Sequence, residues 1–532
     1  MWKPLDHCSG PSSRSLVKTG RQCSEKKTIE MRTLSSMLET TAQKFLDHPA
    51  IIEHGHVFSY RWLVGAVHAV TGLLGETGVG LGTRIALVLP NGAAFVRSFF
   101  AVTHMGGIVL PLNPSLQEPE ITSVLGDAKV SLILTVPELR DRCVGALRSS
   151  VGLGEDSVIL LKEPRHPSEA LEERIPAKPW PPERAVPHGP AVYLYSSGST
   201  GRPKRIERSH FNLLYETDRL VAALRLSPSD RVLGAVAFSH TNGLMRSMIA
   251  SVLSGATLIP VRHFERRSVG RIIQEHAVTV FVGVPFMFAM LAETRWPRPV
   301  DFSSLRLCIS SSAPLPPEIS RRFYERYGIH VRQLYGTTET GTISVNLSPS
   351  LEDSLHSVGT PLEGIDVEIF SEDRHMLAPG EVGEIGISSP AAAKEYPGLL
   401  RESKAAFCNG YFLTGDIGRR DDTGRIYLIG RKSLFINRGG YKVNPYEVEE
   451  LIQKHPKVRE AVVVGVDTEY GDQKIRAVIV PSEPCEEREI IEFCRGKIAD
   501  FKVPSIVEFR TQLPKASTGK ILRRALQTSA PS

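Results

Sequence analysis

No two cysteines in this chain stand in a CxxC pair, and the seven present (8, 23, 143, 308, 408, 485 and 494) are scattered along its length. That excludes a disulfide framework of the small secreted kind and argues against a structural zinc site. It fits free thiols in a reducing, cytoplasmic compartment. Long hydrophobic runs are also missing. The longest, Val278 to Leu291, is too short for a bilayer and contains Pro285, so it reads as a buried strand entering a helix. Charge of one sign is not in excess: 64 basic residues stand against 58 acidic ones, a net charge of +6. No dense basic stripe is interleaved with aromatics, which excludes a nucleic-acid footprint. There is no internal repeat.

What is there is ordinary globular composition, 41% apolar and 23% charged, spread over 532 residues. That length exceeds one compact core and implies two or more domains. The first thirty residues are Ser-rich and basic (Lys3, Arg14, Lys18, Arg21, Lys26, Lys27) and lack the apolar core of a secretory signal. They read as a disordered tail. An organelle-targeting leader is the alternative, and so is translation beginning at Met31, where amphipathic patterning starts.

From Arg84 onward, short Val/Ile/Leu-rich segments alternate with helix-length ones: "RIALVLP", "VSLILTV", "SVILLK", "RVLGAVAF", "ATLIPV", "TVFVGVP" and "LRLCISSS". Buried strands of parallel α/β sheets have this texture. From Gly364, "GIDVEIF", "GEVGEIGIS" and "GRIYLIG" with Gly and Asp turns imply a small β-rich subdomain. Beyond Arg431, "NPYEVEELIQKH", with Asn444 as cap and Pro445 in the first turn, opens an α+β segment of about 100 residues. The boundaries drawn are 1–30 for the tail or leader, 31–432 for the large domain and 433–532 for a small lid.

"YSSGSTGRPKRIERSH", Tyr195 to His210, demands a role, because its glycines cost entropy and its small side chains bury nothing. The P-loop template fails, since Gly201 is followed by Arg-Pro-Lys and Lys204 by Arg205. A strand ("AVYLY") nevertheless feeds Ser196, Ser197, Gly198, Ser199, Thr200 and Gly201 toward Lys204. Hydroxyls, backbone N–H groups and one ammonium in that order suit an anion; a plain Ser/Gly surface loop is the bland alternative.

Five further motifs stand in order: "AFSHTNGL" (237–244), "SSSAPLPPE" (310–318), "QLYGTTET" (333–340), the stretch from "NGYFLTGD" to "GGYKVNPYEVE" (409–449), and "PKASTGKILRR" (514–524). Together with the loop they resemble the adenylate-forming superfamily, which includes acyl-CoA synthetases, peptide-synthetase adenylation domains and firefly-type luciferases. The resemblance covers about residues 31–530. It implies an α/β fold: a large N-terminal domain with stacked parallel and mixed sheets flanked by helices, a small β-rich subdomain, and a mobile α+β C-terminal lid. It also implies ATP-dependent activation of a carboxylic acid to acyl-AMP, with pyrophosphate released and the acyl group passed to coenzyme A. Loading of an acyl carrier protein and a luciferase-like oxygenation are the alternatives, and a phosphotransferase or a silent binding protein the rivals from other classes.

By the same resemblance, Ser196, Ser197, Gly198, Ser199, Thr200 and Lys204 hold the β- and γ-phosphates. Gln333 and Tyr335 belong to the adenine-binding segment, with Tyr335 lying on the ring. Thr338 touches the α-phosphate, and Glu339 with Thr200 holds Mg²⁺. Asp416 accepts the ribose hydroxyls, and Arg431 reaches ribose or phosphate. Lys520 swings in to bridge the acyl carboxylate and the α-phosphate. His240 ends a strand and gates the acyl pocket, whose wall comprises Thr241, Gly283, Val284, Ser310, Ser311, Ser312 and Thr337. Gly439, Gly440 and Tyr441 line the CoA channel. Ser239 stands where amino-acid-activating relatives keep an aspartate, which disfavours amino-acid substrates and leaves fatty and aryl acids open. Three departures, Arg205, Ser433 and Lys442, bear on lid rotation and CoA affinity.

Overall fold

The computed structural model describes residues 31–164, 166–167, 183–196, 204–438, 441–467, 473–495, 497–516 and 521–527. Ser197, Gly198, Ser199, Thr200, Gly439, Gly440 and Lys520 lie outside them, as do the side chains of Ser196 and Tyr441.

The Val/Ile/Leu-rich segments become strands of two sheets. A six-stranded sheet runs in the order Val158–Leu160, Leu132–Thr135, Arg84–Val88, Ile108–Leu112, Pro190–Ser196, Lys204–Ser209. Its first five strands are parallel and the last is antiparallel. A nine-stranded sheet runs Thr360–Pro361, Gly341–Val345, Val331–Thr337, Leu307–Ser310, Val280–Gly283, Arg231–Gly234, Thr257–Pro260, Pro49–Glu53, His56–Ser59. Its centre is parallel and both its edges are antiparallel. One core cluster joins the sheets, drawing Ile85, Leu87 and Val192 from the first and Ile51 and Leu258 from the second. The helix Ala93–His104 belongs to that cluster and is buried on every side. "AAFVRSFFAVTH" is accordingly apolar round most of its circumference.

The β-rich unit has the order Asp366–Phe370, Gly383–Ser388, Tyr411–Arg420, Phe407–Cys408, with Ile426–Arg431 paired to Tyr411–Arg420. The C-terminal unit pairs Val458–Asp467 antiparallel with Gln473–Pro481, which runs parallel to Ile506–Phe509. The helices Pro445–Gln453 and Glu487–Cys494 share a core cluster with that sheet. Asn444 caps the first helix as its sequence position predicts, its Oδ1 accepting from the Tyr446 N–H at 3.1 Å. Its Nδ2 donates to the Ile429 carbonyl at 2.6 Å, tying this unit to the β-rich one. The five cysteines among the described residues (143, 308, 408, 485, 494) are free.

Two local expectations differ. The stretch Tyr195 to His210, read as burying nothing, ends in the edge strand Lys204–Ser209, in which Ile206 and Arg208 are buried. His240, read as a strand end, is not on a strand: the ladder stops at Gly234. Asn91 is the reason. Its Nδ2 donates to the carbonyls of Gly234 (3.0 Å), Val236 (2.9 Å) and Val261 (3.2 Å). Its Oδ1 accepts from the Phe238 N–H at 2.8 Å. One buried amide thus satisfies backbone groups that would otherwise need a neighbouring strand, and frees the chain to turn.

Candidate active site

Three constellations lie about the turn Thr337–Thr340 that follows the strand Val331–Thr337. The first surrounds Lys204. On an edge strand side chains alternate between faces, so Lys204 and Arg208 share one face while Arg205 lies on the other. Arg205 donates to the Asp127 carbonyl at 2.9 Å and stacks over Tyr193, pointing away from the Lys204 side. The Lys204 Nζ sits 4.7 Å from the centre of the Tyr396 ring. The Tyr396 hydroxyl donates to Glu339 Oε1 at 2.9 Å, and the Glu339 carbonyl accepts from the Ala393 N–H at 2.8 Å. Glu339 is buried, and among the described residues only Tyr396 donates to its carboxylate. Burial, reinforced by the Glu339 charge, pushes the Tyr396 phenol far above its usual range, so it remains a donor.

The second constellation is Tyr335, Asp416 and Arg431. The Tyr335 hydroxyl donates to Asp416 Oδ2 at 2.7 Å, and the Arg431 Nε lies 3.7 Å from Asp416 Oδ1. Asp416 and Arg431 are cross-strand partners in register. Gly415, at φ 74, makes the left-handed step before the aspartate, and the Thr414 hydroxyl accepts the Asp416 N–H at 3.1 Å. Burial, then Asp416, raises the Tyr335 phenol well above its ordinary value. Gln333 lies two residues before Tyr335 on the strand Val331–Thr337, its Nε2 donating to the Leu355 carbonyl at 3.0 Å.

The third is the pocket wall. His240 lies in the turn before the helix Asn242–Ile249, whose bonding is π-helical, a feature that recurs at functional sites. The Asn242 N–H donates to His240 Nδ1 at 3.2 Å, which leaves the ring proton of the neutral imidazole on Nε2. Asn242 Nδ2 reaches Ser312 Oγ at 3.2 Å, and Ser312 itself is held at φ 72. Thr337 and Thr340 hydroxyls bond at 2.9 Å and brace the turn that carries Thr338 and Glu339.

Beneath that turn lies a polar network that sequence reasoning missed. Arg208 donates to the Thr338 carbonyl and to Glu216 Oε2, both at 3.0 Å, and Arg208 and Glu216 are fully buried. Glu216 Oε1 accepts from the Thr342 N–H at 2.8 Å and its hydroxyl at 3.0 Å. Arg246 donates to Thr342 Oγ1 at 3.1 Å and Ser311 Oγ at 2.9 Å. Tyr396, which joins Lys204 to Glu339, was missed too. Its signal is faint, a lone aromatic in "KEYPG" some 60 residues from the glutamate it meets.

Toward the tail, Arg523 binds Glu449 with both terminal nitrogens, NH2 to Oε2 at 2.8 Å, and stacks over Tyr446. An isolated antiparallel bridge joins Lys515 to Ile521.

Comparison with known proteins accounts for this arrangement. The family model "AMP-binding enzyme" matches residues 38–397, and "AMP-binding enzyme C-terminal domain" matches 447–520. A long-chain-fatty-acid–CoA ligase of Bacillus subtilis (strain 168) is 30% identical over 529 residues, covering 93% of this chain and 94% of its own. A sulfoacetate–CoA ligase of Cupriavidus necator is 31% identical, covering 94% and 98%. The crystal structure of ATP-bound MatB from Rhodopseudomonas palustris superimposes with a TM-score of 0.83 at 27% identity, covering 93% and 98%. The chain belongs to the AMP-binding enzyme family, the adenylate-forming enzymes its motifs resemble.

Proposed function

We propose that this enzyme joins a carboxylic acid to coenzyme A at the expense of ATP, through an acyl-AMP. A carboxylate is a poor acyl donor because oxide would have to leave. Attack of a carboxylate oxygen on the α-phosphorus forms one P–O bond and breaks the bond to the β-phosphate, releasing pyrophosphate. The CoA thiol, losing its proton, then attacks the acyl carbon, and the C–O bond to AMP breaks. Both steps move negative charge, so positioning and charge stabilisation carry the rate.

The observation that supports this best is the convergence of Lys204, Tyr396 and Glu339 on one side and of Tyr335, Asp416 and Arg431 on the other. Lys204 meets the outer phosphates, alongside Ser196 to Thr200. The ribose hydroxyls donate to Asp416, which Tyr335 and Arg431 hold in place. Tyr335 also borders the adenine, and the Thr338 hydroxyl meets the α-phosphate. Glu339 fits Mg²⁺: it is a buried carboxylate with a single protein donor, and no three His, Cys, Asp or Glu side chains cluster among the described residues to bind an ion alone. Glu339 and Thr200 would hold the ion, which when bound would supply positive charge against the phosphates. Lys520 completes the site by bridging carboxylate and α-phosphate, and Arg523, held by Glu449, anchors its segment. Residues 433–532 form the lid that carries it, and the CoA arm passes Gly439, Gly440 and Tyr441. The free thiols favour a reducing, cytoplasmic location. No helix among the described residues is long and apolar enough to cross a membrane.

The test is product analysis over a panel of carboxylic acids. AMP and pyrophosphate should appear with the right acid, and acyl-CoA only when CoA is present. Release of ADP, or acyl transfer to a carrier protein but not to CoA, would contradict this reading.

A further inference from the structure

Beside Ser311, a residue assigned to the acyl pocket, lies a buried cation, Arg246, with no carboxylate hydrogen-bonded to it among the described residues. Arg246 is 3% exposed and lies one helical turn beyond Asn242, so both side chains point the same way. Its partners are two neutral hydroxyls, those of Ser311 and Thr342. Glu216, the one carboxylate in the network, is already engaged by Arg208 and by both donors of Thr342. Among the described residues no carboxylate lies within ion-pair distance of Arg246. Burial, only partly offset by the charge of Glu216, which Arg208 shares, lowers its pKa to about 10, yet that still leaves it charged at neutral pH. Two guanidiniums against one carboxylate leave a buried net charge of +1.

Such a charge is costly unless something neutralises it. A purely structural brace between Ser311 and Thr342 could be made by an uncharged amide at no such cost. Nearby, the hydroxyl of Ser310 and the amide oxygen of Asn242 are buried without hydrogen-bond partners. Gly336 lets the guanidinium approach: a Cβ there would stand 2.5 Å from Arg246 NH2. A fatty chain laid against these groups would leave each of them unpaired.

Resting on the assignment of His240, Ser311 and Thr337 to the acyl pocket, we propose that the acid activated here is compact and carries a second anionic oxygen group, seated on Arg246. The reacting carboxylate then lies at the His240 end, and the second anion one turn deeper. Arg246 thereby determines specificity, selecting dianionic acids over neutral-tailed ones.

The experiment measures ATP–pyrophosphate exchange by the full-length chain with the pairs malonate and propanoate, succinate and butanoate, and glutarate and pentanoate. Decanoate and benzoate serve as controls. In at least one pair the dicarboxylate should exceed its neutral-tailed counterpart by ~100-fold or more in kcat/KM, as expected where a buried donor is left unpaired. R246M should bring that ratio below about tenfold, and R246K should fall between. The wild-type ratios decide the matter even if R246M fails to fold. Equal or better exchange with the neutral-tailed member of every pair, or with decanoate or benzoate alone, overturns the proposal and leaves the acyl-CoA synthetase reading standing. A dicarboxylate preference that R246M and R246K leave unchanged also overturns it. If no acid on this panel supports exchange, the compact dianionic substrate is overturned, while the acyl-CoA synthetase reading is decided by the wider panel of carboxylic acids.

Discussion

The Tyr335 hydroxyl donates to the Asp416 carboxylate across 2.7 Å, and so ties a strand of the nine-stranded sheet to a strand of the β-rich unit. The residue assigned to the ribose is therefore held by a phenol from a different sheet. Tyr335→Phe removes that donor and leaves Arg431, at 3.7 Å, as the remaining restraint. The KM for ATP should rise about tenfold, the worth of one hydrogen bond to a charged group, with kcat changed less than about twofold. Steady-state kinetics with ATP varied would check this; an unchanged KM would separate Asp416 from ribose binding.

Glu339 and Tyr396 should differ in kind. Glu339→Gln keeps the shape and removes the charge offered to the metal, so kcat/KM should fall by ~10²–10³, and added Mg²⁺ should recover part of it. Tyr396→Phe leaves the charge and removes only its donor, so a loss of about tenfold is expected. A magnesium titration of both variants distinguishes them.

The buried Arg208–Glu216 pair is a stability element under the Thr338 turn. Removing one partner leaves an uncompensated charge, so Glu216→Gln should destabilise by about 3–5 kcal/mol in urea denaturation. Replacing both with apolar residues of similar volume should cost less than that. If the single variant unfolds with the wild type, the pair contributes nothing.

Much of the frame was legible because it is local. Asn444 and Pro445 announce a helix start, and the structure has the cap where they put it. What stayed hidden is what depends on distant partners. Asn91 decides where the strand before His240 ends, from some 150 residues away. Tyr396 becomes part of the site only when the sheet and the β-rich unit meet. Arg246 reads in sequence as one charge in an apolar helix; its significance is that Glu216 is already taken by Arg208, a fact of three elements at once. The reading of Tyr195 to His210 as burying nothing failed for a related reason: the buried positions of its last strand are Ile206 and Arg208, and an arginine does not announce burial.

Glu163 gives a pH signature. Burial first, then the charge of Glu53, outweighs Arg262 at 3.1 Å and raises its pKa from 4.5 to about 7. At acid pH both folded and unfolded chains hold the proton. As pH climbs from 4.5 to 7 the unfolded chain releases it and the folded one does not. Stability is thus lost across that window, by roughly 3 kcal/mol, and is flat above it. Glu163→Gln should flatten that slope in urea midpoints measured between pH 4.5 and 7; an unchanged slope would show that the carboxyl is ionised throughout.

The central claim is that AMP becomes the leaving group of an organic acid, with Lys520 bridging the two reactants. The direct measurement is acid-dependent ATP–pyrophosphate exchange, in the wild type and in Lys520→Ala, alongside the thermal midpoint of each. The account predicts exchange in the wild type, a loss of at least ~10²-fold in the variant, and matching midpoints. Exchange that survives the substitution would contradict the role of Lys520, and a wild type that splits ATP between its first and second phosphorus atoms for no carboxylic acid would contradict the whole.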